Sequence, residues 1–203
     1  MRLGLLGGSF YPVHYVHLLL AECAREQLHL DEVWFLPAAN APHKQGRQQT
    51  DIGLRMQMLE LAVAGNPAFR VSDVEARRGG TSYTVETLEQ LHAEQPDWEL
   101  IFLVGADMLH DLPHWRKAER VCELATIAAV RRLGVAEPDF DCLQAVASPE
   151  RIAHFARHRV DMPGFELSSS DLRNRVAEGR SIRYQTPPAV EQFVVAHRLY
   201  RPG

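Results

Sequence analysis

Short apolar runs alternate with amphipathic stretches along the first half of the chain. Leu3 to Leu6 is the first run, and it breaks at Gly7-Gly8, which predicts a buried strand ending in a turn. From Tyr15 to Leu28 the apolar residues Leu18, Leu19, Ala21, Ala24 and Leu28 recur at helical spacing. A second strand is expected over Val33 to Leu36, stopped by Pro37. A second helix follows over Asp51 to Ala64, with Leu54, Met58, Leu61 and Ala62 read as its inner face. Phe69 to Val74 alternates as a strand, and Ser82 to Glu94 reads as a helix with Val85, Leu88 and Leu91 inward. Leu100 to Val104 is almost purely apolar, as a central parallel strand covered on both faces would be.

The second half is less regular. Leu124 to Val130 is a further apolar strand. Ser148-Pro149-Glu150 is a helix start, with Ser as cap and Pro at the first helical position. Ser168 to Glu178 predicts a helix ended by Gly179, and Pro187-Pro188 opens a last amphipathic helix through Val190, Phe193, Val194 and His197. Strands alternating with helices imply βαβ units, hence an α/β fold with a parallel sheet and helices on both faces. In such sheets ligands sit beyond the carboxyl ends of the strands. The segments to watch are therefore Gly7-Gly8-Ser9, Pro37 to Lys44 and Gly105-Ala106-Asp107.

Composition narrows the function classes. At 203 residues, 46% hydrophobic and 24% charged, the chain fits one ordinary globular domain. A net charge of −4 disfavours sequence-independent nucleic-acid binding, which needs a basic face, but allows a small polyanion to be held by a few local cations. Cys23, Cys122 and Cys142 are far apart and odd in number, so free thiols are expected rather than a disulfide framework or zinc site. The first ten residues lack the pattern of a cleaved leader, and no apolar stretch approaches the ~18 residues of a membrane span. The expected location is the cytoplasm.

Four segments carry candidate chemistry. Gly7 to His17 puts two glycines directly after a strand, where backbone can approach a phosphate, with a helix N-terminus aimed at the same spot. His14 and His17 share a face at the first turn of that helix and can donate hydrogen bonds to charge developing on phosphates. Taken alone, a Gly-Gly is also a plain tight turn, and two histidines three apart are also capping residues. No third ligand supports zinc. Lys44, in Pro42-His43-Lys44, is a loop cation that is equally a phosphate contact or a solvated side chain. Ser168-Ser169-Ser170 with Arg173 opens a helix. The serines suit caps, whereas an arginine near a helix N-terminus is unfavourable unless an anion lies between them. Asp107 after a strand suits a ribose hydroxyl or a helix cap, and Trp115 suits a flat ring or the core. Neither a G-x-S-x-G elbow nor a Walker lysine motif is present, which favours direct in-line transfer over a covalent intermediate.

Gly7 to His17 resembles the GG[ST]FDPxHxGH signature of the nucleotidyltransferase superfamily. Leu18 to Glu22, Pro42-His43-Lys44, Arg55 with Met58, Ser82-Tyr83-Thr84, Gly105-Ala106-Asp107 with Trp115, and Ser168 to Arg173 extend the resemblance to the bacterial nicotinate-nucleotide adenylyltransferase family over essentially the whole chain. The resemblance implies a Rossmann-like nucleotidyltransferase domain over residues 1–203 and adenylyl transfer from ATP to nicotinate mononucleotide, with pyrophosphate leaving. It implies catalytic roles for His14, His17, Lys44 and Arg173, and an ATP site of Gly7, Gly8, Ser9, Phe10, Val16, Gly105, Asp107, Ser168, Ser169 and Arg173. It also implies a mononucleotide site of Ser9, Lys44, Tyr83, Thr84, Asp107 and Trp115, and Mg²⁺ held mainly by substrate phosphates.

Two departures fall in the signature: the family pattern has Asp where this chain has Tyr11, and Gly where it has Val16. Two other readings therefore stay open: an enzyme with altered nucleotide or mononucleotide choice, and a weakened nucleotide-binding module. The intact set His14, His17, Lys44 and Arg173 argues against the second.

Overall fold

The structure, a computed structural model, describes residues 1–40, 50–132 and 136–201, apart from the side chains of Asp107 and Arg132. Six strands pair in parallel in the order β3-β2-β1-β4-β5-β6. They are β1 (Arg2–Gly8), β2 (Glu32–Pro37), β3 (Phe69–Val71), β4 (Glu99–Gly105), β5 (Thr126–Arg132) and β6 (Val160–Met162). The helices are α1 (Tyr15–Gln27), α2 (Ile52–Val63), α3 (Val74–Arg78), α4 (Thr84–Glu94), α5 (Ala118–Leu124), α6 (Pro149–Ala156), α7 (Ser169–Ala177) and α8 (Pro188–Ala196).

Successive strand residues point to opposite faces, so the central strands feed two cores. Leu6, Val33, Phe35, Ile101, Leu103, Ala128 and Val130 pack with residues of α1, α2, α7 and α8. Leu3, Leu5, Leu36, Leu100, Phe102, Val104, Ile127 and Ala129 pack with residues of α3, α4, α5 and α6. The strands run apolar because both faces are covered, as the sequence pattern implied. The order runs outward from β1 on one side and from β4 on the other. The reversal falls between these two strands, and their carboxyl ends frame the crevice where doubly wound sheets bind ligands.

Helix ends follow their local chemistry. Ser148 Oγ accepts from the Arg151 N–H at 3.3 Å with Pro149 opening α6, and Ser168 Oγ accepts from the Asp171 N–H at 3.1 Å at the start of α7. Gly179, at φ 72°, ends the run after α7.

Some expectations need correction. The inner face of α2 is Arg55, Met58, Leu59 and Val63, and Leu61 is 41% exposed. Val74 starts α3 instead of ending a strand, and Leu124 ends α5 instead of starting one. All three cysteines are free thiols, and burial pushes Cys122 up to about 11. Among the described residues no helix is long and apolar enough to cross a membrane.

Candidate active site

The loop after β1 is shaped by a buried aromatic ring. Phe10 has φ 44°, an uncommon conformation for a bulky residue, and is only 2% exposed. Its ring packs on Phe35 (centroids 5.7 Å) and edge-on to His17 (5.0 Å). A Cβ at position 8 would come within 3.0–3.2 Å of three atoms of that ring, so a side chain fits there only if the Phe10 ring gives by a few tenths of an ångström. The Gly8→Ala variant must displace a ring that has neighbours behind it. It is expected to lose about 1–3 kcal/mol of stability and about tenfold in kcat/KM, read by thermal melting and steady-state assay. Unchanged kinetics would show that the loop tolerates the shift.

α1 begins in a reciprocal cap. The His17 N–H donates to the His14 carbonyl at 3.0 Å, and the His14 N–H donates to His17 Nδ1 at 3.2 Å. An accepting Nδ1 assigns the proton of the neutral ring to Nε2, the nitrogen away from the cap. The two imidazoles stack at 3.7 Å between centroids, 24° from parallel, and His14 is 3% exposed. The histidines cap the helix at the carboxyl edge of β1.

The start of α7 is tied to the same loop. Ser169 Oγ donates to the Pro12 carbonyl at 2.8 Å, and an Arg173 Nη donates to the Tyr11 carbonyl at 2.7 Å. The Arg173 guanidinium also lies 4.3 Å over the Tyr11 ring. Further along, Thr186 Oγ1 donates to the Val13 carbonyl at 2.7 Å. Ser9, His14, His17, Ser169 and Arg173 are thereby gathered around one loop beyond β1. Ser168 serves as the α7 cap and also donates to Asp171 Oδ2 at 2.6 Å.

The second half of the candidate site lies across β4. Gly105 ends that strand, and Asp107 follows in the first turn of a 3-10 helix, its side chain outside the description. Trp115 closes that helix and stands edge-on to Phe102 at 5.8 Å. Tyr83 caps α4 with Thr84 behind it, and the Arg116 guanidinium covers the Tyr83 ring at 4.5 Å. Ser82 Oγ accepts from the Ala39 N–H at 2.9 Å, and the Ser82 N–H donates to the Asn40 carbonyl at 2.9 Å, which fastens this segment to the loop after β2. Lys44, with Pro42 and His43, lies outside the described residues.

Two of the expected ATP contacts have buried side chains. Phe10 and Val16 are 2% and 6% exposed and belong to the core under α1. Sequence reasoning gave no role to Arg55. It is 1% exposed, and its guanidinium donates to the carbonyls of Ser9 (2.8 Å), Ala38 (2.9 Å), Ala39 (3.3 Å) and Thr50 (3.0 Å). Burial draws it below the ordinary arginine value, with Asp51 opposing. An arginine at helical spacing from Met58, Leu59 and Val63 was the available signal. Arg116 and Tyr200 were missed because nothing local marks them.

A doubly wound sheet with phosphate-suited groups beyond β1 and ring-suited groups beyond β4 defines a nucleotidyltransferase-type domain, and the Cytidylyltransferase-like family model matches residues 5–175. The chain is 46% identical over 200 residues to a Thermomicrobium roseum protein named "Probable nicotinate-nucleotide adenylyltransferase", covering 98% of this chain and 92% of that one. It is 43% identical over 214 residues to a protein of the same name from Citrifermentans bemidjiense, covering 98% of each. The chain belongs to the nicotinate-nucleotide adenylyltransferase family. Its fold is that of the Plasmodium falciparum nicotinic acid mononucleotide adenylyltransferase solved with NaAD, at TM-score 0.77 and 17% identity over 98% of this chain and 97% of that one.

Proposed function

We propose that the protein transfers the adenylyl group of ATP to nicotinate mononucleotide, yielding deamido-NAD and pyrophosphate. The observation that carries this reading is the gathering of Ser9, His14, His17, Ser169 and Arg173 around the loop at the reversal point of the sheet. A phosphate oxygen of the mononucleotide attacks the α-phosphorus of ATP. The bond from that phosphorus to the bridging oxygen breaks, and the electron pair leaves on pyrophosphate. No covalent enzyme intermediate is required, so the protein contributes position and charge.

His17, with its proton on Nε2, donates to an oxygen of the reacting phosphorus, and His14 stacks behind it to hold the ring plane. Arg173 and the first-turn N–H groups of α7 take the outer phosphates, where a cation near a helix N-terminus is no longer penalised. Lys44 takes a further phosphate. Tyr83 and Trp115 hold the pyridine ring, with Asp107 on a hydroxyl. Mg²⁺, where bound, would be held mainly by the substrate phosphates and water and would offset the charge on the triphosphate; among the described residues no three His, Cys, Asp or Glu converge.

The test is pyrophosphate release with Mg²⁺, crossing ATP and CTP against nicotinate and nicotinamide mononucleotides. ATP with nicotinate mononucleotide is expected to exceed every other pair by about tenfold or more in kcat/KM, as one charge-assisted hydrogen bond can supply. Faster release with another pair overturns the substrate assignment. No release with any pair overturns the activity.

A further inference from the structure

We infer that Tyr11 is a positioning residue that holds Arg173 for the ATP phosphates, and that Tyr200 props it from behind. The inference rests on the reading of Arg173 as a phosphate ligand. An arginine side chain has many rotamers to lose, and it binds an anion well only when something else has already fixed it. Here three contacts do so: the Tyr11 carbonyl at 2.7 Å, Ser170 Oγ at 3.1 Å and the Tyr11 ring at 4.3 Å. Two of the three belong to Tyr11. The ring is the important one electrostatically. An aromatic face attracts the cation without a full opposite charge, so the guanidinium keeps its charge for a phosphate.

The ring is itself held. Tyr200 meets it edge-on at 5.1 Å between centroids, 79° from parallel. Tyr200 reaches this place through a strained turn after α8, with Arg198 at φ 51° and Tyr200 at φ 64°. Its hydroxyl donates to Met58 Sδ at 3.9 Å, on the helix that also carries Arg55. A set of contacts thus joins Tyr200 to the phosphate loop: Tyr200 touches Tyr11, Tyr11 fixes Arg173, and Met58 ties Tyr200 to the helix whose Arg55 holds the Ser9 carbonyl.

The experiment compares Tyr11→Leu, Tyr11→Phe, Tyr200→Leu, the Tyr11→Leu/Tyr200→Leu pair and Arg173→Ala in KM for each substrate. Tyr11→Leu is expected to raise KM for ATP about five- to tenfold, the span of one cation–π contact, with KM for nicotinate mononucleotide essentially unchanged. Tyr11→Phe keeps the face and restores the ATP value. Tyr200→Leu raises KM for ATP by a smaller factor, about two- to threefold, and adds nothing in the Tyr11→Leu background. A general loss of structure would move both KM values and would not be rescued by phenylalanine. If Tyr11→Leu folds poorly, Tyr200→Leu alone decides, through the same selective rise for ATP. A large effect of Arg173→Ala with silent Tyr11→Leu and Tyr200→Leu overturns the positioning role alone. A silent Arg173→Ala overturns the phosphate-ligand reading and the inference together.

Discussion

Replacing His17 by asparagine lowers kcat about 100- to 1000-fold, the loss typical of one donor aimed at developing phosphate or oxyanion charge. The melting temperature stays close to that of the parent. The separation of the two effects follows from the cap of α1. Nδ1 of His17 accepts from the His14 N–H, and the amide oxygen of asparagine occupies nearly the same position, so the helix start survives. Nothing in asparagine reaches the position of Nε2, where the tautomer places the transferable hydrogen bond. Glutamine has the opposite geometry. Its terminal N–H lies near the position of Nε2, but it offers the cap no matching acceptor. His17→Gln should therefore keep more activity than His17→Asn while melting lower. Steady-state kinetics and thermal melts of the two variants check this crossing. An asparagine variant with near-parental kcat would show that the ring acts only as a cap.

Local physics made part of this legible. The β1 strand, its glycine turn and the histidine pair lie within about one loop of each other, and strand-end chemistry is read directly from such neighbours. The caps at Ser148 and Ser168 and the stop at Gly179 were legible for the same reason. The errors occurred where tertiary structure overrode local pattern. The stripe of α2 was read from Leu54, Met58, Leu61 and Ala62; Met58 is on it, but the helix also turns Arg55 inward, where it meets four backbone carbonyls. Val160–Met162 was missed as an edge strand because three residues carry too little periodicity to register. Tyr11 looked like a damaged signature position. It became intelligible only once Arg173 and Tyr200, both far away in sequence, were seen on its ring.

Arg55→Leu is expected to be the most destabilising single change considered, by about 3–5 kcal/mol. For a chain of this length that corresponds to a drop in melting temperature of roughly 6–20 °C. Two effects oppose each other. Leucine removes a buried charge whose desolvation is costly, and burial does draw the guanidinium below its ordinary value. It also strips the donors from the carbonyls of Ser9, Ala38, Ala39 and Thr50. Each of these part-buried carbonyls left without a donor costs up to about 1–3 kcal/mol. Four such losses exceed the relief from one desolvated cation, even if water reaches some of them. Lysine keeps the charge but lacks the planar fork, so Arg55→Lys should recover only part of the stability. Activity falls with stability, because the guanidinium joins the phosphate loop at Ser9 to the loop after β2 at Ala38 and Ala39, which in turn fastens Ser82 beside Tyr83. Both halves of the candidate site then lose their common anchor, and KM should rise for ATP and the mononucleotide alike. That shared rise separates Arg55 from Tyr11, whose loss is felt by ATP alone. Equilibrium unfolding in urea with parallel kinetics tests the argument. A leucine variant that unfolds within about 1 kcal/mol of the parent, below the cost of even one stranded carbonyl, would mean that the four carbonyls find other donors.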